Sequence, residues 1–68
     1  MLWIPIGLHE CSLIDGSGNE IVVYQDDNGY CAELFYKYGG SETLVSRPLP
    51  FEDCIGKCED YARKNLKL

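Results

Sequence analysis

Sixty-eight residues, 46% hydrophobic and 25% charged with a net charge of −5, make one small domain and exclude global disorder. The core must be thin, because a folded chain of this length buries only about 60% of its unfolded surface. Residues 1–36 carry six acids and no Lys or Arg, while residues 37–68 carry five acids and six bases, so the first half repels phosphate backbones and attracts basic surfaces.

Met1–Leu8 is apolar but short, contains Pro5 and has no basic residue, which makes a poor signal peptide. No stretch is long enough for a membrane-spanning helix. A cytoplasmic protein with reduced thiols is therefore expected.

Three turn clusters punctuate the chain: Asp15-Gly16-Ser17-Gly18-Asn19, Asp26-Asp27-Asn28-Gly29 and Gly39-Gly40-Ser41. Gly and Asn tolerate positive φ, and Asp closes turns through its own side chain. The segments around them are short and rich in β-branched and aromatic residues. They predict strands at about 8–14, 20–25, 30–38 and 42–47. Short turns join antiparallel neighbours, so the four strands form a meander. Pro48 and Pro50 then bar a central strand. Phe51, Ile55, Cys58, Ala62 and Leu66 recur at helical spacing, with Cys54 and Tyr61 on the flank of the stripe, predicting one helix over about 51–66. Glu52 and Asp53 near its start and Arg63, Lys64 and Lys67 near its end match the helix dipole. Gly56 within it suggests close packing on the sheet. The expected fold is α+β, a four-stranded antiparallel meander packed on one C-terminal helix.

The third strand is two-sided. Tyr30, Ala32, Leu34, Tyr36 and Tyr38 point one way and suit the helix-covered face. Cys31, Glu33, Phe35 and Lys37 point the other way and still include apolar groups. The second strand likewise places apolar groups on both faces through Ile21, Val22, Val23 and Tyr24. A sheet with one wet face alternates cleanly, so something should cover the second face. The candidates are the segment Leu2-Trp3-Ile4-Pro5-Ile6 folding back, or another molecule. Val22, Tyr24, Cys31, Glu33, Phe35 and Lys37 are the expected contact residues, and Asp15, Glu20, Asp26 and Asp27 the expected acidic surface.

Other chemistry finds little support. Cys54 and Cys58 stand four apart on the helix, a spacing that offers two ligands to a metal, but a four-Cys zinc site also needs Cys11 and Cys31. Cys31 should point to the opposite face, and no C-x-x-C pair exists. Buried thiols with no metal or cofactor are expected. His9 shares a predicted strand with Cys11, yet nothing supplies an oxyanion hole or a third orienting group. The glycine clusters are not followed by a helix or a P-loop lysine, and the turn acids lack EF-hand spacing. No enzyme is expected.

A short meander followed by one helix is similar in layout to sheet-type DNA readers, including the small arm-binding domains of phage integrases. That resemblance implies a DNA-facing sheet, which should carry Arg and Lys. Here only Lys37 and Arg47 fall on predicted strands, so nucleic acid is not the expected partner. The expected function is a non-enzymatic protein-binding module that meets another protein, or itself as a homodimer, through the second sheet face or a sheet edge. Its sharpest form is a phage or mobile-element accessory protein, an acidic nucleic-acid mimic that inhibits a CRISPR or restriction complex. The alternatives are a structural homodimer and a weak nucleic-acid binder using Lys57, Lys64 and Lys67.

Overall fold

The computed structural model describes residues 1–66; Lys67 lies outside them. Five strands, β1 (Ile4–Gly7), β2 (Glu10–Ile14), β3 (Glu20–Asp26), β4 (Gly29–Phe35) and β5 (Ser41–Leu49), precede one helix, α1 (Phe51–Asn65). The strands pair in chain order, all antiparallel. The α+β meander with a C-terminal helix is therefore present, with five strands instead of four. No helix among the described residues is long and apolar enough to cross a membrane.

The additional strand comes from the segment expected to fold back over the sheet. Ile4 pairs with Ser12 and Pro5 with Cys11, so β1 extends the sheet at the free edge of β2. Pairing satisfies backbone groups that a cover lying across side chains would leave without partners. Pro5 lacks an N–H, which an edge strand tolerates. Trp3, just before β1, packs on the helix side and donates its indole N–H to Glu59 Oε2 at 3.0 Å. The tryptophan thus ties β1 to α1 and leaves the second face alone.

Strand ends follow local hydrogen bonding. The first predicted strand begins two residues late, because Leu8 and His9 form a turn with His9 at φ 60°. The third predicted strand stops at Phe35. Tyr36 N–H donates to Gly40 O and Gly39 N–H to Tyr36 O, and Gly39 and Gly40 take φ of 110° and 85°. Tyr36, Lys37 and Tyr38 therefore belong to a turn. β5 runs through Pro48 to Leu49, beyond its predicted end, because it is an edge strand whose outer N–H groups need no partner. Between the pairs Tyr30–Leu49 and Ala32–Val45, three β5 residues stand opposite Cys31 alone. This bulge brings the chain close over Gly29, where an added Cβ would lie 2.9 Å from both Leu49 O and Pro48 Cβ.

The core lies between the sheet and α1. Leu13, Ile21, Val23, Ala32, Leu34 and Val45 from the strands meet Cys54, Cys58 and Ala62 from the helix. The helix carries its acids, Glu52 and Asp53, in the first turn and Arg63 and Lys64 in the last, complementing its dipole. Phe51 stands edge-on to Tyr30, with ring centroids 5.0 Å apart. Tyr61 O–H donates to Glu42 Oε2 at 2.9 Å. Gly56 is exposed, and a Cβ added there would meet no non-local atom within 4 Å. It does not mark close packing on the sheet, because its helix face is turned to solvent.

Candidate functional site

One helix covers one face, and the register defines what remains on the other. Three cross-strand rows line it. The first runs Ile14–Glu20–Phe35–Ser41. The second runs Ile4–Ser12–Val22–Glu33–Thr43, and the third Glu10–Tyr24–Cys31. Val22, Tyr24, Cys31, Glu33 and Phe35 thus share this face, with Ile21 and Val23 on the other, in the core. Lys37 does not lie among them. It sits in the turn after β4, its Nζ 5.6 Å from the centroid of the Tyr38 ring.

The helix packs on the other face, and on these rows Ser12 and Cys31 are buried while large apolar groups stay in solvent. Ile14 is 54% exposed, Ile4 46% and Phe35 42%. Burying one such side chain is worth about 1.5–3 kcal/mol, so the exposed cluster represents stabilisation the isolated chain forgoes. Each row holds one acid, Glu20, Glu33 or Glu10, and each acid pairs with non-acidic neighbours. That spacing avoids like charges placed directly opposite, which destabilise a sheet. Asp26 follows Tyr24 on the same side of β3. Among the described residues no Lys or Arg pairs into the rows. Arg47 instead lines a hollow with Lys57 between β5 and the helix.

Two expected surface residues prove to be internal. Cys31 is 2% exposed, with Sγ 3.7 Å from Ser46 O and 3.8 Å from Asp26 Oδ2. The β5 bulge closes over it, so it underlies the face and offers no contact. Burial, and then the Asp26 carboxylate, push its thiol pKa up. Asp15 is 6% exposed and does not belong to the acidic surface. Its Oδ1 accepts the backbone N–H of Ser17 and of Asn19, both at 2.8 Å, and its Oδ2 accepts Asn19 Nδ2 at 3.1 Å. Asn19 Oδ1 in turn accepts the N–H of Lys37. Asp15 thereby locks the β2–β3 turn and, through Asn19, joins it to the β4–β5 turn beside Glu20 and Phe35. Asp27 is exposed in the β3–β4 turn at φ 53°, away from the Glu20–Phe35 row.

Ile4, Ile14 and Glu10 complete the face and were missed in the sequence. The signal for two of them was present, since Glu10, Ser12 and Ile14 follow period 2 along one strand. Ile4 became readable only with β1. Next to the rows lies a hollow of about 430 Å³, lined by Met1, Leu2, Ile4, Leu13, Ile14, Asp15 and Gly16. Ile4 and Ile14 belong to both, which makes hollow and face continuous.

All four cysteines are free. Burial pushes Cys58 up to about 12, assisted by Cys54, and raises Cys54 and Cys11 as well. Among the described residues no group of three His, Cys, Asp or Glu is placed to hold a metal ion. Both sheet edges carry a proline, Pro5 in β1 and Pro48 in β5, and prolines on edge strands are one means by which natural sheets limit strand addition. Comparison with protein families, curated proteins and solved structures gave no match.

Proposed function

We propose that this protein is a non-enzymatic binding module whose working surface is the uncovered sheet face. The observation that carries the reading is a set of large apolar groups left open on one face beside a well-filled core: Ile4, Ile14 and Phe35 in solvent, with Val22 and Tyr24 half-buried on the same face. Large apolar side chains left in solvent on one face mark interaction sites, and here they alternate with the acids Glu20 and Glu33. The prolines on both edges favour contact through the face over strand addition. The sharper form of the reading is an inhibitor of the anti-restriction or anti-CRISPR kind, acting from a phage or mobile element. Its support is the set Glu10, Glu20, Asp26 and Glu33 on one side of the sheet.

Photo-crosslinking in the native host cell tests the general reading. A photo-reactive benzoyl-phenylalanine replaces Tyr24 on the face or, as control, Asp60 on the outer side of α1. The Tyr24 probe should yield one defined protein adduct that the Asp60 probe does not. Equal adducts from both positions, or none from Tyr24, would overturn the proposal.

A further inference from the structure

Resting on that reading, we infer that the partner presents a basic amphipathic helix. It lies across the strands, with a bulky apolar side chain in the hollow beside Ile4 and Ile14 and Lys or Arg over Glu20 and Glu33. Three observations support this occupant. First, the hollow is apolar, and Asp15 on its wall has both carboxylate oxygens engaged in its turn. At about 430 Å³ it falls within the range of sites that hold a bulky group.

Second, the row leading from the hollow alternates in character. Ile14, Glu20 and Phe35 stand on successive strands, about 4.8 Å apart. One helical turn advances about 5.4 Å. A helix crossing the strands therefore sets an apolar residue at Ile14, a base one turn later at Glu20, and an apolar residue one turn further at Phe35. Positions i, i+3 or i+4, and i+7 share one helix face.

Third, charge selects against the other occupants. A second copy docking face to face would set Glu10, Glu20, Asp26 and Glu33 against the same four acids. Like-charge juxtaposition of that kind suppresses association. Nucleic acid meets the same repulsion.

The probe is a synthetic helical peptide of about 18 residues, about 27 Å long, with Leu and Phe on one stripe and Lys at the intervening turns. A second peptide replaces each Lys by Glu, and a third replaces the apolar stripe by Ala. Each is titrated into the isotope-labelled full chain while amide shifts are followed by nuclear magnetic resonance. The Lys peptide should shift Ile4, Ile14, Val22 and Phe35 saturably, with both controls roughly tenfold weaker or worse. Glu20→Gln combined with Glu33→Gln should weaken the Lys peptide roughly tenfold at unchanged melting temperature. Raising salt from about 50 to 300 mM should weaken it too. If the Glu peptide binds the same face equally well, the charge assignment fails while the binding face stands. If the Lys peptide shifts the outer side of α1, or none of the peptides saturates, the helix-binding inference fails. A sedimenting dimer abolished by Phe35→Glu would make a second copy the occupant and overturn the inference. The crosslinking at Tyr24 judges the underlying face separately.

Discussion

Replacing Asp15 by Ala tests whether this acid holds the fold or decorates its surface. The carboxylate accepts three hydrogen bonds, two from backbone N–H groups at 2.8 Å and one from Asn19 Nδ2. Hydrogen bonds to a charged group contribute about 1.5–3 kcal/mol each, but a freed donor that reaches water recovers much of that. Ser17 is exposed and recovers its loss; Asn19 is half-buried and recovers less. The expected cost is about 2–4 kcal/mol. A domain of this size holds only about 3–10 kcal/mol in total, so the melting temperature should fall on the order of 10–25 °C. Asp15→Asn keeps one acceptor oxygen but sets a donor against Asn19 Nδ2, and should cost about half as much. Urea unfolding followed by Trp3 fluorescence measures both. A loss below about 0.5 kcal/mol for Asp15→Ala is what an exposed turn acid would give, and it would refute the structural role.

Three further outcomes follow from the helix and its contacts. Gly56→Ala should stabilise by about 0.5–1 kcal/mol, because the site is helical, exposed and free of non-local atoms near a Cβ; a destabilised variant in thermal melts would contradict that geometry. Cys58→Ser should cost about 1–3 kcal/mol in urea titrations by burying a hydroxyl, and a neutral result would mean the thiol is not buried. Cys58 and Tyr61 are held at about 12, mainly by burial, from ordinary values near 9 and 10. Their folded pKa values are raised, so their contribution is complete below pH 9 and is lost as pH climbs toward about 12. Stability should therefore fall between about pH 9 and 12, and Tyr61→Phe should flatten the part above pH 10.

Much of the architecture was legible because period and turn chemistry agreed along most of the chain. Alternation in Tyr30–Phe35 correctly divided the sheet faces, alternation in Ile21–Tyr24 put apolar groups on both faces without saying which pair met the helix, and the helical stripe with its flank located Cys54, Cys58 and Ala62 in the core. The misreadings share a cause: the tertiary position of an edge. Pro48 reads as a break and the Pro5-containing segment reads as a cover for the sheet, yet both prolines sit in edge strands, which tolerate a missing N–H. That concealed β1, and with it the contribution of Ile4 to the open face. Lys37 reads as strand because the Tyr36–Gly40 turn begins earlier than its glycines. Asp15 reads like any turn acid, and only its three acceptor contacts separate it from Asp27. Cys31 follows the parity of the open face, but a three-residue bulge from β5 closes over it, and bulges leave little trace in sequence.

The central claim is that the face opposite the helix is built to be covered by a partner and is not part of the core. Neighbouring residues of β4 separate the two cases. Leu34, fully buried, faces the core, and Phe35, 42% exposed, faces away. Leu34→Glu buries an unpaired charge and should leave no folded protein. Phe35→Glu loses about half the burial of one aromatic and meets Glu20 across the strand, for a cost of about 1–2 kcal/mol. With the photo-reactive residue at position 24, the Phe35→Glu protein should remain a folded monomer and lose its crosslinked adduct. A folded variant that keeps the adduct at full yield, or one that unfolds as Leu34→Glu does, would contradict the account.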